Sequence, residues 1–247
     1  MIEAGLIYGA LGLAFGGILK GATGAGAPLL AVPLLTLFYG VETAVAVFTV
    51  PGVLANLFQV VRFRKSLGDL SFVGLLAGMG AVGAAIGSVL LVLLPTQTLI
   101  GTISILVYVY VAFRLARPTW ALSERWAMYL AAPAGFTAGV LQGAAGLSAP
   151  VSITFLNAMR LPRPRFIAVI SVFFGSMAVV QIPSLAAVGI MTPQMLLFSL
   201  AACLPLFGAM PLGAFLARHV SSETFDKVVL LVLLAVATRL LIGAFFF

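Results

Sequence analysis

From Leu70 to Leu94 the chain runs for twenty-five residues without a charged side chain, and a stretch of that kind narrows the possible folds more than any other feature. A helix rises 1.5 Å per residue, so about 20 apolar residues cross the hydrocarbon core of a bilayer. Residues 69–94 and 225–246 are the plainest spans of this length. A transmembrane barrel would write short alternating segments instead, and the sequence has none. Only 8% of the 247 residues are charged and 63% are hydrophobic, whereas soluble domains carry about a quarter charged residues. With a mean hydropathy of +1.24, most of the surface is not built to meet water. The expected class is an all-α polytopic membrane protein in a lipid bilayer.

The formal charge of +7 does not point to nucleic acid, because no water-facing domain exists to gather a basic patch. Lys and Arg in short cytoplasmic loops set membrane topology instead. The single cysteine, Cys203, excludes an internal disulfide, and with one histidine, His219, no metal constellation can be assembled. No cofactor is expected. The N-terminus lacks a basic start and a small-residue cleavage site, so it reads as retained structure rather than a signal peptide.

Apolar segments fall near 4–19, 29–40, 43–61, 69–94 and 98–113, then near 126–141, 150–158, 166–190, 193–217 and 225–246. Two phrases stand out among them. KGATGAGAPLLAVPLL starts at Lys20 and QGAAGLSAPVSITFL starts at Gln142. A shift of 122 lays Gly143 on Gly21, Gly146 on Gly24 and Pro150 on Pro28, and it also lays Ser171 on Thr49 and Gln181 on Gln59. Further on, Leu94-Pro95 and Thr98 match Val220-Ser221 and Thr224 at a shift of 126. A fixed internal period near half the chain length predicts two copies of one unit, residues 1–120 and 121–247.

Charge decides how the copies are oriented. With four crossings per half the copies are parallel, and Arg160, Arg163, Arg165, Arg218 and Lys227 fall outside. With each phrase at the tip of a hairpin, the chain returns to its starting side and the second copy is inverted. Those five then join Arg62, Arg64, Lys65, Arg114, Arg117 and Arg125 on the inside, as the positive-inside rule requires. The expectation is two inverted-topology repeats, each a broken or re-entrant hairpin followed by about three transmembrane helices, with both termini outside. The second arms, 29–40 and 150–158, are too short to span comfortably.

The phrases carry the chemistry. Proline breaks a helix interior but suits its first turn, so Gly26-Ala27-Pro28 and Ser148-Ala149-Pro150 read as unwound backbone followed by a new helix start. Close helix packing by small residues is the simpler explanation, but it leaves the prolines unexplained. Non-helical backbone at membrane depth is tolerated only where it lines protein or a wet cavity. Helix starts there aim N–H groups and positive dipole ends at the centre, which suits an anion. The expected substrate-binding set is Lys20, Gly21, Thr23, Gly24, Gly26, Gln142, Gly143, Gly146 and Ser148. Lys20 is there because an ionisable residue at membrane depth is a functional candidate, with snorkelling to the interface the competing reading. The six acids, Glu3, Glu42, Asp69, Glu124, Glu223 and Asp226, all lie at segment edges, which leaves no buried carboxylate for a cation or proton path and argues for an anion or a neutral solute. Thr49, Asn56, Gln59, Ser171 and Gln181 are polar residues on apolar helices, suited to lining a gate or pathway or to bonding neighbouring helices. GATGAG is not a dinucleotide site, since apolar helix rather than strand precedes it.

The paired phrases, on Gly21, Gly24, Gly26 and Pro28 and on Gly143, Gly146 and Pro150, resemble the TauE/SafE family of sulfite exporters and related anion permeases over essentially the whole chain. The sequence departs from the usual glycine run at Ala25, Ala27, Leu147 and Ser148. The resemblance implies a bacterial cytoplasmic-membrane carrier of small sulfur-containing anions such as sulfite or organosulfonates. The residues by themselves reach only as far as a small anion held between two broken helices; alternating access by one repeat-related bundle moving against the other is the expected mechanism. An anion channel and a non-transport membrane assembly protein remain as alternatives. An enzyme is not expected, for want of a nucleophile with its base.

Overall fold

Glycine and proline set the helix boundaries of the computed structural model, which describes residues 2–116, 121–219 and 222–246, with side chains described for 7–116, 121–219, 224 and 227–243. Helix α1 (Ile2–Thr23) stops before Gly24, and α2 (Ala27–Tyr39) restarts with Pro28 in its first turn. Helices α3 (Val41–Phe63), α4 (Leu70–Leu93) and α5 (Thr96–Ala116) complete the first half. Helix α6 (Glu124–Ala145) stops before Gly146, and α7 (Ala149–Ala158) restarts with Pro150; α8 (Arg163–Ala187), α9 (Pro193–Ala201), α10 (Cys203–His219) and α11 (Ser222–Phe246) follow. The stops at Thr23 and Ala145 and the restarts at Ala27 and Ala149 keep the shift of 122. Asp69, Ser123 and Thr192 cap α4, α6 and α9 by accepting backbone N–H bonds.

The segment expected at 193–217 is interrupted at Ala202. Pro205 has no N–H to offer the carbonyl four residues back, at Ala201, and its ring crowds that carbonyl. Among the described residues five segments are long and apolar enough to cross a membrane: Val41–Ser66, Leu70–Leu93, Thr96–Ala116, Arg163–Ala187 and Pro193–His219. The run at 225–246 lies in α11 and is not one of the five, which count described residues alone. Arg117, Val220 and Ser221, and the side chains of Glu3, Glu223 and Asp226, lie outside the described residues, as does Trp120 at the expected boundary between halves.

Both opening pairs are antiparallel hairpins. Along α1, Gly16 lies against Ala27 and Ala31, Gly12 against Leu34, and Gly9 against Tyr39. At the other hairpin the N–H of Leu122, just before α6, donates to the carbonyl of Ala158 at the end of α7, 2.8 Å away.

The tightest crossings, α4 on α6 and α1 on α10, are matched pairs. A β-carbon on Gly139 would overlap the carbonyl of Gly80, one on Gly143 the carbonyl of Ala84, and one on Gly87 the carbonyl of Val140. Across α1 and α10 the same overlaps join Gly17 to Leu206, Gly21 to Met210, and Gly213 to Ile18. Each of the second three follows from the first by the shifts of 122 and 126 read in the sequence. Glycine is required because backbone meets backbone at these points. Each half thus packs its opening helix on an apolar span of the other half, α6 on α4 and α1 on α10.

Two apolar cores result. One gathers Leu29, Leu35, Ile103, Leu206 and Leu233; the other gathers Leu76, Leu156, Ile170, Phe173 and Met177. At one end of the bundle Arg165 pairs with Glu124 at 3.3 Å and packs on Gly68, while Arg62 and Arg163 face a common cavity. Several residues expected on the cytoplasmic side therefore share one end.

Candidate functional site

Between Thr23 and Ala27 the backbone turns through two left-handed glycines, Gly24 and Gly26, both at φ 82°. Only glycine adopts this region without strain. Gly146 does the same work in the second phrase at φ 67°, but Ser148, opposite Gly26, keeps φ −100°. Neither α2 nor α7 has a side chain capping its first N–H groups.

Lys20, in the last turn of α1, is buried. It is 3% exposed and donates from Nζ to Oδ1 of Asn56 at 2.7 Å. Asn56 is fixed in turn, its Nδ2 donating to the carbonyl of Gly52 at 2.8 Å. Lys20 therefore turns into the bundle rather than snorkelling out. The acids with described side chains, Glu42, Asp69 and Glu124, are all exposed, so none of these three carboxylates neutralises it there. In the matching place Gln142 accepts at Oε1 from the hydroxyl of Ser148 at 2.9 Å.

Two cavities meet at Lys20. The inner chamber, about 20 Å³, is walled by Lys20, Pro28, Thr49, Asn56, Gln142 and Gln181, with Phe48 and Phe174. That volume holds one water, so a sulfur oxyanion does not fit in this conformation. The second cavity is a vestibule of about 510 Å³, faced by Lys20, Gly21, Gly24, Gln59, Arg62 and Arg163. It lies within the usual range for small-molecule sites; Lys20, Arg62 and Arg163 stand on an otherwise largely apolar wall that includes Phe58, Phe207 and Met210, with no acid among the described residues. Arg163 donates from Nη2 to the carbonyl of Ala22 at 3.2 Å, a cation on the C-terminal turn of α1 where the helix dipole favours it.

The structure thus brings Lys20, Asn56, Thr49, Gln142 and Gln181 to one chamber, and Gly21, Gly24 and Gln59 to the vestibule. Ser171 donates to Oε1 of Gln59 at 2.9 Å, joining α8 to α3. Gln181 donates to the carbonyls of Gln142 and Gly143 at 3.3 and 3.4 Å. Thr23, expected as a donor to substrate, is engaged in the turn: its hydroxyl sits 2.8 Å from the carbonyl of Leu19 and 2.6 Å from that of Ala25. Gly143 packs on α4, and Ser148 is fully buried on Gln142. Gly26 and Gly146 shape the turns rather than face either cavity.

In the sequence Arg62 and Arg163 read only as topology markers. The signal was present at Arg62, three residues beyond Gln59 and so on the same face of α3.

Residues 8–240 match the family described as Sulfite exporter TauE/SafE. The chain belongs to the TauE/SafE family. No curated protein matches it, and no solved structure does. Membership in TauE/SafE, a transporter family, fits a multi-pass membrane protein and is consistent with the expectation that the chain is not an enzyme.

Proposed function

We propose that the chain is a secondary transporter of small sulfur-containing anions, such as sulfite or organosulfonates, across a bacterial cytoplasmic membrane. Residues 1–120 and 121–247 act as two inverted repeats. The substrate sits at the midplane, between the starts of α2 and α7, and access alternates as one repeat-related bundle moves against the other.

The observation that carries this reading is Lys20: a buried amine, with no acid beside it among the described residues, on the wall shared by the chamber and the vestibule that also holds Arg62 and Arg163. A site so charged attracts anions and repels cations. The starts of α2 and α7, which no side chain caps, add positive dipole ends. The two hairpins and the exchanged helix crossings support inversion, because a hairpin at each phrase leaves an odd number of spans per half.

The one-water chamber favours a carrier over an anion channel, which needs a continuous pore. Vesicles loaded with unlabelled sulfite and diluted into labelled sulfite separate the two. A carrier accumulates label transiently by exchange and saturates, whereas uptake that rises linearly with concentration, without exchange, indicates a channel. No exchange of any sulfur oxyanion would sink the substrate assignment.

A further inference from the structure

We propose that Gln59 and Gln181 are exchanging positioning residues, each in turn holding the end of its own repeat's broken helix while the other bonds across to the opposite repeat. The proposal rests on the alternating-access reading. In an inverted repeat, what one half does in one state its mate does in the opposite state.

The shift of 122 pairs Thr49 with Ser171, Gln59 with Gln181, Lys20 with Gln142 and Gly21 with Gly143. Two crosswise hydroxyl–amide bonds are therefore available, Ser171 to Gln59 and Thr49 to Gln181. The first is made, at 2.9 Å and buried. The second is not, because Thr49 donates within its own helix to the carbonyl of Val45 at 2.8 Å. Gln181, free of Thr49, instead holds the carbonyls of Gln142 and Gly143 at the end of α6. The counterparts of those two carbonyls belong to Lys20 and Gly21, which share the vestibule wall with Gln59.

The same sequence therefore specifies a second set of bonds. In the opposite state Thr49 bonds Gln181, Ser171 turns back to its own helix, and Gln59 donates to the carbonyls of Lys20 and Gly21. One set replaces the other bond for bond, so the two states stay close in free energy, as a cycling carrier needs. The exchange also acts where substrate is held, since Gln181 grips α6 just before the turn at Gly146, and Gln59 faces the turn at Gly24. Ser171 and Gln59 belong to the state in which the vestibule beside Arg62 and Arg163 is open.

The test is a rate of labelling. Cys203 is replaced by serine, and Ala214→Cys, on the vestibule wall, reports opening to a membrane-impermeant maleimide applied from the side bearing Arg62 and Arg163. Ser171→Ala weakens the open-vestibule state, and Thr49→Ala weakens the opposite one. A buried hydrogen bond contributes about 1 kcal/mol, roughly a fivefold population shift. The expected result is labelling several-fold faster in Thr49→Ala than in Ser171→Ala, with Thr49→Ser and Ser171→Thr returning towards the parent rate. A ratio of one, or labelling faster in Ser171→Ala, overturns the exchange. The readout needs no substrate. Opposed rates with no sulfite exchange in vesicles would leave this proposal standing and remove the substrate assignment; sulfite exchange with equal rates would do the reverse.

Discussion

Lys20 and Asn56 meet as a buried amine and amide 2.7 Å apart, tying α1 to α3 where the vestibule narrows to the chamber. Truncating the two partners should have unequal effects. Asn56→Leu leaves the buried amine of Lys20 and its N–H donors without an acceptor, while Lys20→Met leaves one neutral acceptor, costing about 1–3 kcal/mol. Thermal unfolding in detergent should therefore show Asn56→Leu melting below Lys20→Met. The reverse order would mean that Asn56 does not hold the amine.

The matched crossings give a second prediction. Gly17→Ala and Gly139→Ala put a β-carbon into a backbone carbonyl, and overpacking of this kind costs about 1–3 kcal/mol. Because the two sites are equivalents at a shift of 122, their losses should be similar. Gly78→Ala meets nothing within 4 Å and should leave the melting temperature unchanged or slightly raised. Equal tolerance at all three positions would contradict the close crossings.

A third concerns the break in the α3 ladder. Pro51 cannot donate to the carbonyl of Val47, and Ser199 of α9 replaces it, donating to that carbonyl at 2.9 Å and accepting from the N–H of Val50 at 3.1 Å. Ser199→Ala should cost about 1–2 kcal/mol. In a Pro51→Ala background the N–H at position 51 returns, so the same change should cost less. A double-mutant cycle with no coupling would remove Ser199 from this role.

Much of this arrangement was legible because it is written in backbone punctuation. Gly24, Gly26 and Pro28, with Gly146 and Pro150, located both helix breaks, and the shift between them anticipated the paired crossings. What was not legible depended on side-chain reach. Thr23 has the right chemistry for a ligand donor, but its hydroxyl lies nearer its own turn than any cavity. Whether Lys20 turns inward or snorkels depends on Asn56, thirty-six residues away. Arg163 satisfied the positive-inside pattern so well that its place on the vestibule wall was hidden. The break at Ala202 followed from Pro205, a breaker three residues downstream inside an otherwise continuous apolar run.

The most direct test of the account is thermal stabilisation of the purified protein by sulfite, beside thiosulfate, organosulfonates, carboxylates, phosphate and simple cations. A ligand that binds only the folded state at about 100 times its Kd stabilises by roughly 2.7 kcal/mol. The account predicts selective stabilisation by sulfur oxyanions, abolished in Lys20→Met although that variant still unfolds cooperatively. Stabilisation by a cation or neutral solute alone, or sulfite stabilisation unaltered in Lys20→Met, would contradict it.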